Sequence, residues 1–522
     1  MIRDIPGYYY DEEKKKYFKI EQNRTAPGDA AWSAGSVKRR KVEEKAKEEE
    51  GRRVKGLRMR VRRWDEVRGS GGRAGTGRGV AAGVEAGSRS GFGVGEVVMG
   101  GLFEREMRRE GGDVGVKAWV GGLKGKGEVG LWEGQTAEMV SEVWVGGGGM
   151  GKDGMGVVYG VLAGEELRSS YLPRDGDDMI NFREAEGRYP WRVLRPKVES
   201  AAFPQISSLG YHEASGQMFV TSRMPTRYPG ISYFKPRILE SKAPLDSVDG
   251  DSVVELFKVS SPLLREVWVN TCAMAASASS DLVCIAGTSE GILQFRQGGD
   301  LSWLTPKPTF ARLKKNELKP ASVAARGGVF SLDFLPSNPA SVILVGGRSW
   351  HMCLLDTRVP EDEWQSLRHE SSVSHVKAVG PHQILAAGPK SAMAVYDVRW
   401  MSGTRGKSWG ANGTTPVVEF PGYKNQAHLN TGLDVLLEPG FGAGVVAAAH
   451  DDGRVALYAL RDGAGLKSPE VDALNYREGG RVVASLKFST LPGDRHPSLF
   501  VGGAATIKKF SFGRGTEDDV EW

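Results

Sequence analysis

Cysteine is scarce: Cys272, Cys284 and Cys353 are the only three in 522 residues. An odd, sparse set without metal-ligand spacing excludes a disulfide framework and a thiolate metal centre, and fits a reducing compartment. Cys284 and Cys353 lie in apolar strand-like runs and Cys272 beside one, so all three are expected as core residues. Histidine is also sparse, with eight residues, scattered. His369 and His375 have no Cys or carboxylate at ligand spacing, and His450 precedes the turn Asp451-Asp452-Gly453. There is no Gly-x-Ser-x-Gly elbow and no His-Glu-x-x-His pair. No catalytic, metal or cofactor site is therefore expected, and the chain reads as a non-enzyme. No apolar run is long enough to cross a bilayer, and the first residues are too polar and aromatic for a secretory signal. A soluble intracellular protein without membrane contact is expected.

Glycine is abundant, at 71 residues, and charge is unevenly spread. Residues 1–120 carry 27 Lys/Arg against 19 Asp/Glu, a net of +8, and the remainder is close to neutral at −2. A basic tail suits nucleic acid, an acidic protein surface or nuclear import, and composition does not choose among them. Within 1–20, Tyr8-Tyr9-Tyr10-Asp11 and Tyr17-Phe18-Lys19-Ile20 flank a charged turn, which predicts a small hairpin that packs on the body or on a partner. Residues 36–63 are dense in Lys, Arg and Glu with almost no apolar stripe. Lys38-Arg39-Arg40-Lys41 reads as a nuclear import signal, with a plain solvated charge run as the equal alternative. Residues 69–101 are a Gly/Arg/Ser-rich linker. An RNA-binding reading of Arg73, Arg78 and Arg89 ranks below it, because no aromatic is interleaved for base stacking before Phe92. The expected organisation is an aromatic motif at 1–20, a basic disordered linker at 21–115 and a folded body at 116–522.

That body repeats, most clearly from residue 200. Each unit is an apolar strand ending in small residues, a Gly or polar turn, and an alternating strand. Units start near residues 218, 283, 342, 384, 445 and 499, spaced by 42 to 65 residues. Val329–Phe334 and Val483–Phe488 alternate as half-buried innermost strands should. Val143-Trp144-Val145 and Val157–Leu162, on either side of a Gly-rich turn, supply a seventh unit. Many short strands at this spacing predict an all-β, WD-type β-propeller of seven blades, with a disordered basic N-terminal extension. Inside that turn, Gly146–Asp153 nearly matches a phosphate-binding loop. Asp153 stands where Ser or Thr is needed and a β-like run follows instead of a helix, so a blade hairpin is the better reading.

Two tripeptides remain. Asp356-Thr357-Arg358 and Asp397-Val398-Arg399 each end a strand-like run and lie 41 residues apart, one blade period. Alternation along a strand puts Asp and Arg on one face, where the acid orients the base. This pairing resembles the signature of WD-repeat substrate receptors for cullin-4 ubiquitin ligases, and Pro6–Ile20 resembles the opening of one member of that family. The resemblance implies that Arg358 and Arg399, oriented by Asp356 and Asp397, contact the propeller-built adaptor that links receptors to the cullin-4 scaffold. It also implies an unidentified substrate protein. A nuclear location, with cytoplasmic presence alongside, is expected from Lys38-Arg39-Arg40-Lys41. In that family Trp usually precedes the Asp; here Leu355 and Tyr396 stand there. Leu loses the aromatic contact, so Arg399 is the stronger candidate. The alternative is a WD-repeat scaffold in a chromatin or ribosome-assembly complex, its basic tail touching nucleic acid.

Overall fold

The computed structural model describes residues 8–11, 16–19 and most of 113–513; the longest segments outside it within that range are 173–181, 183–196, 237–251, 306–327 and 401–414. The chain divides into two compact units, Met1–Val98 and Met99–Trp522. In the first, β1 (Tyr8–Asp11) and β2 (Lys16–Lys19) pair antiparallel, which is the hairpin expected from the two aromatic runs. The readings on residues 21–112, including Lys38-Arg39-Arg40-Lys41 and the Gly/Arg linker, lie outside the described residues.

The second unit opens with α1 (Asp113–Gly121) and β3 (Leu123–Gly130). Blade 1 follows as β4 (Val140–Gly147), β5 (Gly156–Leu162), β6 (Glu166–Leu172) and β7 (Lys197–Ala202). Blade 2 is β8 (Ile206–His212), β9 (Gln217–Ser222) and β10 (Ile231–Phe234); then β11 (Ser252–Val253) crosses to pair parallel with β7, and β12 (Phe257–Lys258) completes the blade. Blade 3 is β13 (Val269–Met274), β14 (Leu282–Thr288), β15 (Ile292–Arg296) and β16 (Leu301–Trp303). Blade 4 is β17 (Val329–Phe334), β18 (Val342–Gly347), β19 (His351–Asp356) and β20 (Gln365–Arg368). Blade 5 is β21 (His375–Ala378), β22 (Gln383–Gly388), β23 (Ala392–Asp397) and β24 (Val418–Glu419). Blade 6 is β25 (Leu433–Leu436), β26 (Val445–Ala449), β27 (Val455–Ala459) and β28 (Gly465–Leu466), followed by the short helix α2 (Pro469–Asp472). Blade 7 takes β29 (Leu486–Ser489), β30 (Ser498–Gly502) and β31 (Thr506–Phe512) from the C-terminal end, and its outer strand is β3.

The first strands of neighbouring blades touch all the way round, β29 against β4 included, so the ring is closed. The fold is a seven-bladed β-propeller. Seven hydrophobic clusters fill its seven seams, one between each pair of adjacent blades. The second strands explain why the repeat was legible. In β22, Ile384 and Ala386 face the seam with blade 4 while Leu385 and Ala387 face the seam with blade 6. Both sides of the strand are buried, so its sequence is continuously apolar instead of alternating. A fully buried aliphatic or Phe side chain contributes about 1.5–3 kcal/mol. With ten or more buried residues per seam, burial dominates the stability.

Around the channel, polar side chains on the first strands reach the backbone of the next blade. Ser207 Oγ donates to the Val269 carbonyl and Asn270 Nδ2 to that of Val329. Ser331 and Asp333 accept from the Val376 and Ala378 amides, and Asp434 from that of Phe488. Ser489 Oγ donates to the Val145 carbonyl across the closing seam. These bonds satisfy backbone groups that curvature takes out of sheet pairing.

Three expectations are corrected. Val143–Leu162 is the first and second strand of its blade, β4 and β5, whereas the other six units are second and third strands. Helix α1, the first described element of this unit, begins three residues before 116 and belongs with the body, because Val116, Trp119 and Val120 form an i, i+3, i+4 face buried against blades 6 and 7. Cys272 is not a core residue: it sits on channel-lining β13, half-buried, with the Ser208 hydroxyl donating to its sulfur, and burial pushes its thiol up to about 12. Cys284 and Cys353 are buried as expected.

Candidate protein-docking site

In a four-stranded meander, the third strand ends on the face that carries the first-to-second connections. The third strands β19 and β23 end at Asp356 and Asp397. Both tripeptides therefore lie on one face, here called lower, on adjacent blades. Their registers match: Asp356 pairs with the first residue of β18, Val342, and Asp397 with the first residue of β22, Gln383.

The two sites share one geometry. In blade 4, Arg358 Nε and Nη2 donate to the two Asp356 carboxylate oxygens at 2.9 and 2.7 Å, and the Arg358 amide donates to Oδ1 at 3.0 Å. In blade 5, Arg399 Nε donates to Asp397 Oδ1 at 3.0 Å, Nη2 to Oδ2 at 2.6 Å, and the amide to Oδ1 at 2.9 Å. The pairing does not arise from strand alternation, as the sequence suggested. Each Arg lies past the strand end, Arg399 within a 3-10 turn, Val398–Trp400. The Asp captures it by an Asx-type bond to its amide together with a bidentate fork to its guanidinium.

Electrostatics follow from this fork. The Arg399 hydrogen bonds hold the Asp397 carboxyl down at about 2, and those from Arg358 hold Asp356 below the ordinary carboxylate range. Both acids stay ionised at any physiological pH. The Arg side chains remain 57% and 60% exposed, while Asp397 is 5% exposed and Asp356 26%. Exposed ion pairs add little to stability. What the pairs provide is two oriented cations on one face.

Their surroundings differ. Tyr396 is buried and its hydroxyl shares a 2.9 Å hydrogen bond with His369 Nδ1. Leu355 is buried too, and the aromatic that its position lacks arrives from the next loop: Trp364 packs on the same cluster and donates its indole N–H to the Asp356 carbonyl at 3.2 Å. Register also exposes a position that the motif search missed. Ala459 pairs with the first residue of β26, so Arg461 occupies in blade 6 the place of Arg358 and Arg399, without the Asp. The signal was Ala-x-Arg, visible only once blades are aligned.

Elsewhere, Glu142, Asp333 and Asp434 interact with Arg223, Lys377 and Lys487 around the channel. Burial pushes the Glu142 carboxyl up to about 7 against these cations. Acids and cations thus alternate in one interacting group. The near-match to a phosphate loop lies between β4 and β5, and the element that opens after it at Gly156 is a strand; residues 148–155 lie outside the described residues. Among the described residues no group of His, Cys, Asp and Glu is arranged to hold a metal, and no helix is long and apolar enough to cross a membrane.

No family model and no curated protein matches the sequence. Among solved structures, the chain is similar to the WD40 β-propeller domain of Doa1, at 11% identity and a TM-score of 0.44, over 75% of this chain and 98% of that one. The blade assignment rests on the sheet topology described above.

Proposed function

We propose that this chain is a non-enzymatic substrate receptor, which presents a target protein to a cullin-4 ubiquitin ligase through the ligase adaptor. A propeller is an interaction platform that hosts many functions, so the case rests on the site and not on the fold. The observation that carries it is the duplicated Asp–Arg fork: two identical, solvent-facing guanidiniums at one register on consecutive blades. Arg held flat by a carboxylate is pre-organised for a partner's carbonyl or carboxylate groups and gives up little freedom on binding. The N-terminal Pro6–Ile20, which resembles the opening of cullin-4-associated factor 4, supports the same reading. The ligase chemistry belongs to its partners, and the site of action is the nucleus, with a cytoplasmic fraction.

The net charge of +8 over residues 1–120 favours a second reading, a scaffold in a nuclear chromatin or ribosome-assembly complex, with the tail on nucleic acid. Affinity purification of the wild type and of the Arg358→Ala/Arg399→Ala variant separates the two. The receptor reading requires the adaptor and cullin-4 in the first and their loss in the second. Recovery of nucleic-acid-associated proteins from both would favour the scaffold.

A further inference from the structure

The upper face, opposite the Asp–Arg forks, carries the second-to-third hairpins. Between blades 4 and 5 it opens into a cleft of about 520 Å³. The floor is apolar, made by Met393, Tyr396 and Phe420, all nearly buried. One wall is Trp350, 46% exposed at its hairpin tip. Two cations sit against its ring: Lys390 Nζ lies 5.0 Å and Arg368 Cζ 5.9 Å from the centroid. Cation–π contact of this kind holds a charge beside the ring and leaves N–H groups that an anion can use. Glu370 and Glu419 are also among the lining residues.

The hairpin that supplies Lys390 is held in an unfavourable shape. Lys390 and Ser391 have φ of 61° and 55°, consecutive left-handed residues where Asn-Gly would be usual. Such a conformation costs about 1 kcal/mol or more per residue and persists where the surroundings impose it. Here they do: the Lys390 and Ser391 amides donate to the Gln426 and Asn425 carbonyls, and the Asn425 amide donates back to Ser391 Oγ. A loop of blade 5 thus fixes the turn that places Lys390 over Trp350.

We infer that this cleft is a docking seat for an extended acidic peptide. An Asp or Glu side chain of the peptide lies between Arg368 and Lys390 against Trp350, and its apolar neighbour covers Met393, Tyr396 and Phe420. Arg368 and Lys390 beside Trp350 select a carboxylate, and Glu370 and Glu419 in the same lining disfavour the continuous phosphates of nucleic acid. The inference rests on the receptor reading only for whose peptide this is, namely the target protein's. Adaptor and target then occupy opposite faces.

The test is fluorescence polarisation of the full chain with three labelled degenerate decapeptide pools, in which one central position is fixed as Glu, Ala or Lys. The Glu pool is expected to bind at least about tenfold more tightly than the Lys pool. Arg368→Glu/Lys390→Glu should abolish or invert that preference, and Lys390→Glu alone, at an exposed turn, serves if the double variant does not fold. Arg358→Ala/Arg399→Ala should leave peptide binding unchanged, which keeps a failure here distinct from a failure of adaptor binding. Equal binding of the pools would overturn the assignment, as would a preserved Glu preference in a well-folded charge-reversed variant. So would a single-stranded oligonucleotide whose binding needs Arg368 and Lys390 while the pools remain indistinguishable.

Discussion

Arg358 and Arg399 have the same fork but different foundations, and this fixes how single substitutions should differ. Asp397 is almost enclosed and its neighbour Tyr396 is pinned by His369, whereas Asp356 is more exposed and is supported by Trp364 from a loop. Arg399→Ala should therefore weaken adaptor binding more than Arg358→Ala, by a factor of about three or more, with melting temperatures within a degree or two of wild type; a binding titration of both purified variants measures it. His369 makes a separate prediction. It is 2% exposed, and burial lowers its pKa to about 4 from an ordinary 6.5. Between those values the unfolded chain binds more protons, so the stability due to neutral His369 is complete above pH 6.5 and lost as pH falls to 4. The loss is up to about 3 kcal/mol. Denaturant midpoints at pH 7.5 and 5 should diverge less in His369→Gln than in wild type. They will not converge fully, because His375 is lowered to about 4 as well.

At the scale of elements, closure is the feature on which the ring depends. β3 pairs with β31 across almost the whole length of the body, and α1 caps the seam beside it. Trp119 is 2% exposed and its ring lies 6.3 Å from that of Phe488. Trp119→Ala should cost about 3–5 kcal/mol and lower the thermal midpoint by several degrees; thermal melts check this, and a negligible change would mean that α1 is not part of the closure. Sequence reading found the second strands because burial on both faces makes them continuously apolar, as in Val342–Gly347 and Ile384–Gly388, and the third strands as the alternating runs that follow them. It missed α1, whose nine residues carry two glycines and only one apolar turn, and β3, whose Leu-Lys-Gly-Lys-Gly-Glu-Val-Gly reads as linker. An outer strand has one covered face and few apolar residues, so its identity lies in its partner and not in its own pattern. The Asp–Arg pair was legible as Asp-x-Arg at blade spacing. The fork was not, because it forms past the strand, in a turn that alternation does not describe. The cleft at Trp350 was not legible either, since its parts come from four segments of two blades.

For the whole molecule, the account assigns two faces. The lower face presents Arg358 and Arg399 and, one blade on, Arg461; the upper face presents the cleft of blades 4 and 5. Seven apolar seams make the disc rigid enough to hold the two apart. The most direct measurement is a titration of the purified chain with the ligase adaptor, wild type against Arg358→Ala/Arg399→Ala, with thermal melts as the folding control. The account predicts at least about thirtyfold weaker binding by a variant that melts like the wild type. Equal affinity in a well-folded double variant, or no adaptor binding by the wild type, would contradict it.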